Sequence, residues 1–194
     1  MMKHIRILFQ IFFIVAWGAT TAYAQEPSLS PGRKAAVDSL ALEKVRDLSK
    51  YISIIGDKST SFSEANRVIE RTLELFAPDA QMGVSSLSSD KIRYYPIRQY
   101  LERLMRLNYK KVEIEWFDIQ YISDLEPQPD GTFVGVITIY QRFVGTKEDG
   151  LKYQDTTKKD ITVYVKRKYT QIQGRQIGFW DVLLGDIRVA ETSR

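Results

Sequence analysis

KKVEIEWFDIQYIS (110–123), TFVGVITIYQRFV (132–144), QDTTKKDITVYVKRKY (154–169) and RQIGFWDVLLGDI (175–187) are four apolar, β-branched and aromatic runs that fill the last third of the chain. EPQPDG, GTKEDG and TQIQG stand between them, and strand formers punctuated by such turn signals predict a meander of antiparallel strands. In the first run Val112, Ile114 and Trp116 share a parity, whereas the apolar positions after Phe117 are Ile119 and Tyr121. Side chains alternate with a period of two along a strand, so this one-residue slip marks a β-bulge, which bends the strand. Gly135, inside the continuous apolar second run, is another expected bend. A sheet with such bends encloses volume beneath whatever covers it.

The segments upstream read as helices made to cover that sheet. Ser30-Pro31 is a helix entry, with Ser30 as N-cap and Pro31 in the first turn. Val37, Ala41, Val45, Leu48, Ile52 and Ile55 then recur at steps of three and four, one apolar stripe on a helix that stops at Gly56. Ser61-Phe62-Ser63-Glu64 fits a capping box for a second helix, whose buried stripe is Phe62, Ala65, Ile69, Leu73 and Phe76 and which Pro78 ends. Gln81 to Ser86 reads as a short strand, Ser85 to Asp90 as a polar loop, and a third helix follows Pro96 with Ile97, Leu101, Leu104 and Leu107 inward. The expected architecture is α+β: three N-terminal helices on a strongly curved antiparallel sheet of four long strands and a short one.

The first residues carry a different signal. Lys3 and Arg6 precede an apolar run from Ile7 to Trp17, and Ala22-Tyr23-Ala24 offers small residues where a signal peptidase cuts. The expected organisation is a signal peptide over 1–24, a flexible arm over 25–30, one domain over 31–190 and a tail over 191–194. The apolar run is shorter than the roughly 20 residues that span a bilayer, so no transmembrane segment is expected after cleavage. Cysteine is absent and the one histidine, His4, lies in the signal region. The expected location is therefore periplasmic or secreted, in a bacterium, without disulfides or a lipidated cysteine.

Those absences bound the chemistry. The mature chain has no thiol nucleophile, no Ser-His-Asp triad, no imidazole or thiolate zinc site and no histidine base. No Gly-rich phosphate loop and no Asp-rich calcium loop occurs, so no cofactor or metal is expected. Setting aside Lys3 and Arg6 takes 28 basic residues to 26, against 24 acidic ones. A balance so near neutral gives no reason to expect nucleic acid as a partner.

The order helix, helix, short strand, helix, long strands resembles the nuclear-transport-factor-2-like superfamily, α+β cones in which helices cover a bent sheet. LELFAPDAQM (73–82) looks like the end of the second helix and entry to the first strand in that family, and Pro96-Ile97-Arg98-Gln99-Tyr100-Leu101 is similar to the start of the helix that plugs the cone. The family includes isomerases, dehydratases, cyclases, dimerising adaptors and noncatalytic ligand-binding domains. In its ketosteroid-isomerase-like members an aspartate follows the aspartate-alanine of the motif by a few residues. After Asp79-Ala80 this sequence has Gly83, Val84 and Ser85, and the histidine of dehydratase-like members has no counterpart in the mature chain.

Candidate site residues follow from the strands. Trp116 with Asp118, and Trp180 with Asp181, would give an aromatic wall and a partly desolvated carboxylate if their strands curve round one cavity; Asp118 and Asp181 are the candidate acids or bases. Packing explains the tryptophans equally and a strand bend or solvent the aspartates. Tyr140 and Tyr153, among eight tyrosines from Tyr94 to Tyr164, join Trp116, Asp118 and Trp180 as expected ligand-binding residues. Lys158, Lys159, Lys166, Arg167, Lys168 and Arg175 form a basic strand face, either an anion-binding patch or a guarded, solvated edge. Three functions stay open: a noncatalytic envelope protein that binds a small apolar ligand or a protein partner, as a monomer or homodimer; an acid–base isomerase, lyase or hydrolase; and a binder of an anionic polymer or surface.

Overall fold

The structure is a computed structural model that describes residues 29–87, 89–121 and 123–193. The expected signal peptide and most of the expected arm lie outside the described residues. Three helices, α1 (Pro31–Gly56), α2 (Phe62–Leu73) and α3 (Ile97–Met105), accompany strands β1 (Gln81–Ser86), β2 (Ser89–Pro96), β3 (Lys111–Tyr121), β4 (Glu126–Pro127), β5 (Phe133–Thr146), β6 (Lys152–Ile172) and β7 (Arg175–Ser193). The sheet runs β2-β1-β7-β6-β5-β3, and β4 adds to the end of β5. Among the described helices none is long and apolar enough to cross a membrane.

α1 is held by its stripe. Val37, Ala41, Val45, Leu48, Ile52 and Ile55 are all buried, as their spacing predicts, and each large aliphatic among them contributes about 1.5–3 kcal/mol. The helix packs on both β3 and β7, which β5 and β6 separate in the sheet order. One rod can touch both only if the sheet curls round it. α2 keeps half of its capping box: Ser61 Oγ accepts from Glu64 N–H at 3.2 Å, but the Glu64 carboxylate turns to Arg67 one turn on. Phe62, expected in the buried stripe, is 66% exposed. It is the first residue of α2, and the buried face is Ala65, Val68, Ile69 and Thr72.

The curvature has identifiable sources. Phe117 pairs with Tyr140 and Gln120 with Thr138, so β3 carries one more residue than β5 between those rungs, at the slip read in the sequence. Asp118 there has φ 46°. The expected bend at Gly135 is not a bulge, because β5 and β6 pair in unbroken register from Phe133 to Thr146. β7 carries two more bulges: Ile161 and Val163 of β6 face Ile187 and Leu184, and Lys158 and Lys159 face Glu191 and Val189.

Two further features differ from the expected sheet. It is mixed and seven-stranded, since Ser89–Pro96, whose first two residues fall in the loop expected over Ser85 to Asp90, pairs with β1 as a hairpin, and β1 lies parallel to β7 at Met82 and Ile187. β2 escapes the apolar pattern because it is an exposed edge, with Ile92 and Tyr94 facing water. β7 also continues past Ala190 to Ser193, because Glu191, Thr192 and Ser193 pair with Lys158, Thr157 and Thr156.

Asp118 gives a direct test of the bulge. The left-handed region costs an ordinary L-residue roughly 1–2 kcal/mol, is tolerated by Asp and is free for Gly. Asp118→Val is expected to lower unfolding stability by about that amount and Asp118→Gly to leave it unchanged or raise it, as read by urea denaturation.

Candidate functional site

The concave face of β6 changes character along its length. Alternation places Tyr153, Asp155, Thr157, Lys159, Ile161, Val163 and Val165 on one face, and the last three join the core. The first four line a cavity of about 480 Å³ that also takes in α3, β1, β2 and β5. α3 supplies Tyr100, Arg103 and Leu104, β2 supplies Lys91, Arg93 and Tyr95, and β5 supplies Gln141 and Phe143.

One wall is aromatic. Tyr109 meets Phe143 edge-on at 5.8 Å, and Phe143 meets Tyr153 at 6.0 Å. The Tyr109 ring lies so close over Gly145 that a Cβ there would come within 2.6 Å of it, so the glycine is what lets this wall form. On the opposite side the Arg103 guanidinium sits 4.6 Å above the Tyr95 ring.

Asp155, Thr157 and Lys159 at the floor are buried, and Tyr153 above them is half-buried. Tyr153 OH donates to Asp155 Oδ2 at 2.6 Å and accepts from the Leu87 N–H at 3.2 Å. Lys159 is 3% exposed, with Nζ 3.5 Å from Met82 Sδ and 5.9 Å from the centre of the Tyr100 ring. Among the described residues Lys159 makes no salt bridge. Burial therefore lowers its pKa from 10.5 to about 8, and the nearby Asp155 charge only partly opposes this. Burial likewise raises Asp155, against the Tyr153 hydrogen bond and the Lys159 charge. Tyr100 is pushed well above the ordinary phenol value, by burial first and by Asp155 second, and stays protonated.

The site expected from sequence is distributed differently. Tyr153 lines the cavity; Trp116 lies behind it, buried, donating from Nε1 to Gln141 Oε1 at 3.2 Å and so fixing a lining side chain. Tyr140 is on the convex face, stacked on Phe117 at 5.8 Å. Trp180 packs edge-on against Phe133 at 5.7 Å, away from the cavity. Asp118 is exposed at the bulge, and Asp181 is ion-paired to Lys168 at 2.5 Å. The carboxylate inside the cavity is Asp155, which the sequence reading did not single out. The signal was present: Asp155, Thr157 and Lys159 share the parity of Ile161, Val163 and Val165.

Helix pair, strand hairpin, plugging helix and curled meander accord with the cone that the motif resemblance implies. In fold the chain is similar to nuclear-transport-factor-2-like proteins. No protein-family model matches it, and no curated protein matches its sequence. Similar solved structures include a candidate scytalone dehydratase of Novosphingobium aromaticivorans, at 13% identity and TM-score 0.44 over 82% of this chain and 89% of that one. Others are Kfla4162 of Kribbella flavida, at 9% and 0.44 over 80% and 95%, and a type 2 hexachlorocyclohexane dehydrochlorinase, at 12% and 0.41 over 82% and 91%. Likenesses this distant carry no argument about activity.

Lys159 sets a stability test with a definite sign. Between about 8 and 10.5 the unfolded chain holds a proton that the folded chain lacks, so stability rises with pH across that window and the penalty is complete below it. Lys159→Met, which is unbranched, one atom shorter and uncharged, is expected to stabilise the protein at pH 7 by roughly 3 kcal/mol. Urea unfolding at pH 7 and pH 10 checks this, because the gain shrinks at the higher pH.

Proposed function

We propose that the cone binds a small molecule with an apolar, aromatic body and an anionic head, the head meeting Lys159 at the floor. The observation that carries this reading is the buried Lys159 ammonium, which among the described residues makes no salt bridge, in a cavity walled by Tyr100, Tyr109, Phe143 and Tyr153. A buried charge without a carboxylate against it costs stability, and a ligand anion supplies the missing partner. Arg93 and Arg103 in the lining add to the same field, against Asp155 as the one lining carboxylate among the described residues. The apolar run and the Ala22-Tyr23-Ala24 site further support export, as a bacterial envelope or secreted protein. N-terminal sequencing of the native protein is then expected to begin at Gln25.

Anilinonaphthalene sulfonate has the proposed chemistry and tests it. Saturable one-to-one binding is expected, weakened at least about tenfold by Lys159→Met and by raising the pH from 7 to 10, as the ammonium is lost. Binding that ignores both changes would remove the anion reading. Loss of binding in a variant that is more stable cannot come from misfolding.

The acid–base reading survives on one different observation, the Tyr153–Asp155 hydrogen bond beside a lysine. It moves the proton-transfer role from Asp118 and Asp181 to Asp155, the carboxylate whose pKa burial raises. Carbon-13 titration of the Asp155 carboxyl is expected to give a midpoint above the ordinary 3.8. A midpoint at or below that value would sink this role.

A further inference from the structure

β6 and β7 outrun the sheet. β5 last pairs with β6 at Phe133 and Val165, so Lys166 to Ile172 and Arg175 to Asp181 pair only with each other. Seven residues at about 3.3 Å each make a two-stranded ribbon standing roughly 20 Å beyond its neighbours. Its turn is tight, Gln173 and Gly174 having φ 48° and 76° between the paired Ile172 and Arg175, and such a primed turn keeps the strands' twist to the tip.

Residues directly opposite in an antiparallel pair share a face. Lys166 faces Asp181, Lys168 faces Phe179, Thr170 faces Ile177 and Ile172 faces Arg175, so one face of the ribbon carries Ile172, Ile177 and Phe179 among Lys166, Lys168 and Arg175. These apolar side chains are 45–52% exposed, whereas a free two-stranded ribbon in water is normally polar. The acidic residue of the ribbon is Asp181, at its base on this same face, where it is ion-paired to Lys168 and leaves Lys166 and Arg175 as the excess cations. A guarded strand edge accounts for the cations but not for the isoleucines and phenylalanine set among them.

We propose that this ribbon docks on an anionic lipid surface, with Ile172, Ile177 and Phe179 entering the interface and Lys166 and Arg175 meeting the headgroups. Charge complementarity selects the occupant: cations interleaved with apolar side chains on one exposed face match the acidic headgroup layer above the acyl boundary. The site is separate from the cavity and does not depend on what the cavity holds.

The chain contains no cysteine, so a single probe can report on the ribbon alone. Full-length protein with Ile177→Cys, labelled with a nitrobenzoxadiazole dye, is titrated with vesicles of phosphatidylcholine, with and without phosphatidylglycerol. Vesicles containing phosphatidylglycerol are expected to blue-shift the emission and raise it roughly threefold. The same dye on Glu43→Cys, on the outer face of α1, is expected not to respond. Lys166→Glu with Arg175→Glu should raise the lipid concentration needed by at least about tenfold, and added salt should do the same. No response at position 177, an equal response on pure phosphatidylcholine, or a response to protein concentration without vesicles would each overturn the proposal, the last by showing a second copy on the ribbon.

Discussion

Curvature is the constraint from which the rest of this structure follows. A flat sheet would present its concave face to one layer of helices and fill the space with side chains. Here an extra residue on β3 and two on β7 curl the sheet until α1 bridges strands that lie three places apart in its order. The stripe from Val37 to Ile55 closes one end of the cone as ordinary core. The other end, where β6 passes under α3, stays open as the cavity. The bulges and the buried polar floor are therefore one design, because the strand that supplies the core also reaches into the space the bend creates.

β6 shows how little its chemistry depends on distant parts of the sequence. Six inward positions in alternation read Asp155, Thr157, Lys159, Ile161, Val163 and Val165, so the passage from cavity to core occurs within one strand. The same strand, continued past its partner β5, becomes a cationic ribbon in water. Three environments on one strand place the lysines in different roles. Lys159 is buried and loses proton affinity; Lys168 is on the surface and pairs with Asp181. Counting charges along the segment cannot separate them, but parity does.

What could be read beforehand follows the same logic. The α1 stripe, the Ser61 cap and the slip at Asp118 were legible because each rests on a local rule: helical period, cap chemistry, strand alternation. β2 was not legible, since an edge strand with charged residues between its few apolar ones has no apolar pattern and is held by backbone hydrogen bonds to β1. Trp116, expected in the wall of the site, stands one layer behind it and fixes Gln141. The site itself stayed hidden because Asp155 and Lys159 look like the polar side of a strand unless the run is counted from Val165 backward. Asp118 and Asp181 attract notice through Trp116 and Trp180, yet Asp181 is adjacent to Trp180 and so faces the other side of β7, while the bulge at Asp118 interrupts the alternation that relates it to Trp116.

The parallel contact between β1 and β7 has a kinetic meaning. Ala77 donates its N–H to Leu184 O, the Leu184 N–H reaches Leu75 O, and the Gln81 N–H is held by the Asp186 carboxylate. Each of these closures spans more than a hundred residues of sequence, and each must await the strand that is made last. Loop entropy is lost before such contacts return anything, which places the protein among slow, topology-limited folders. The helices can form early, but the cone has no second side to lean on until the final strand arrives. Its cavity is thus assembled late, in the same step that makes the fold cooperative.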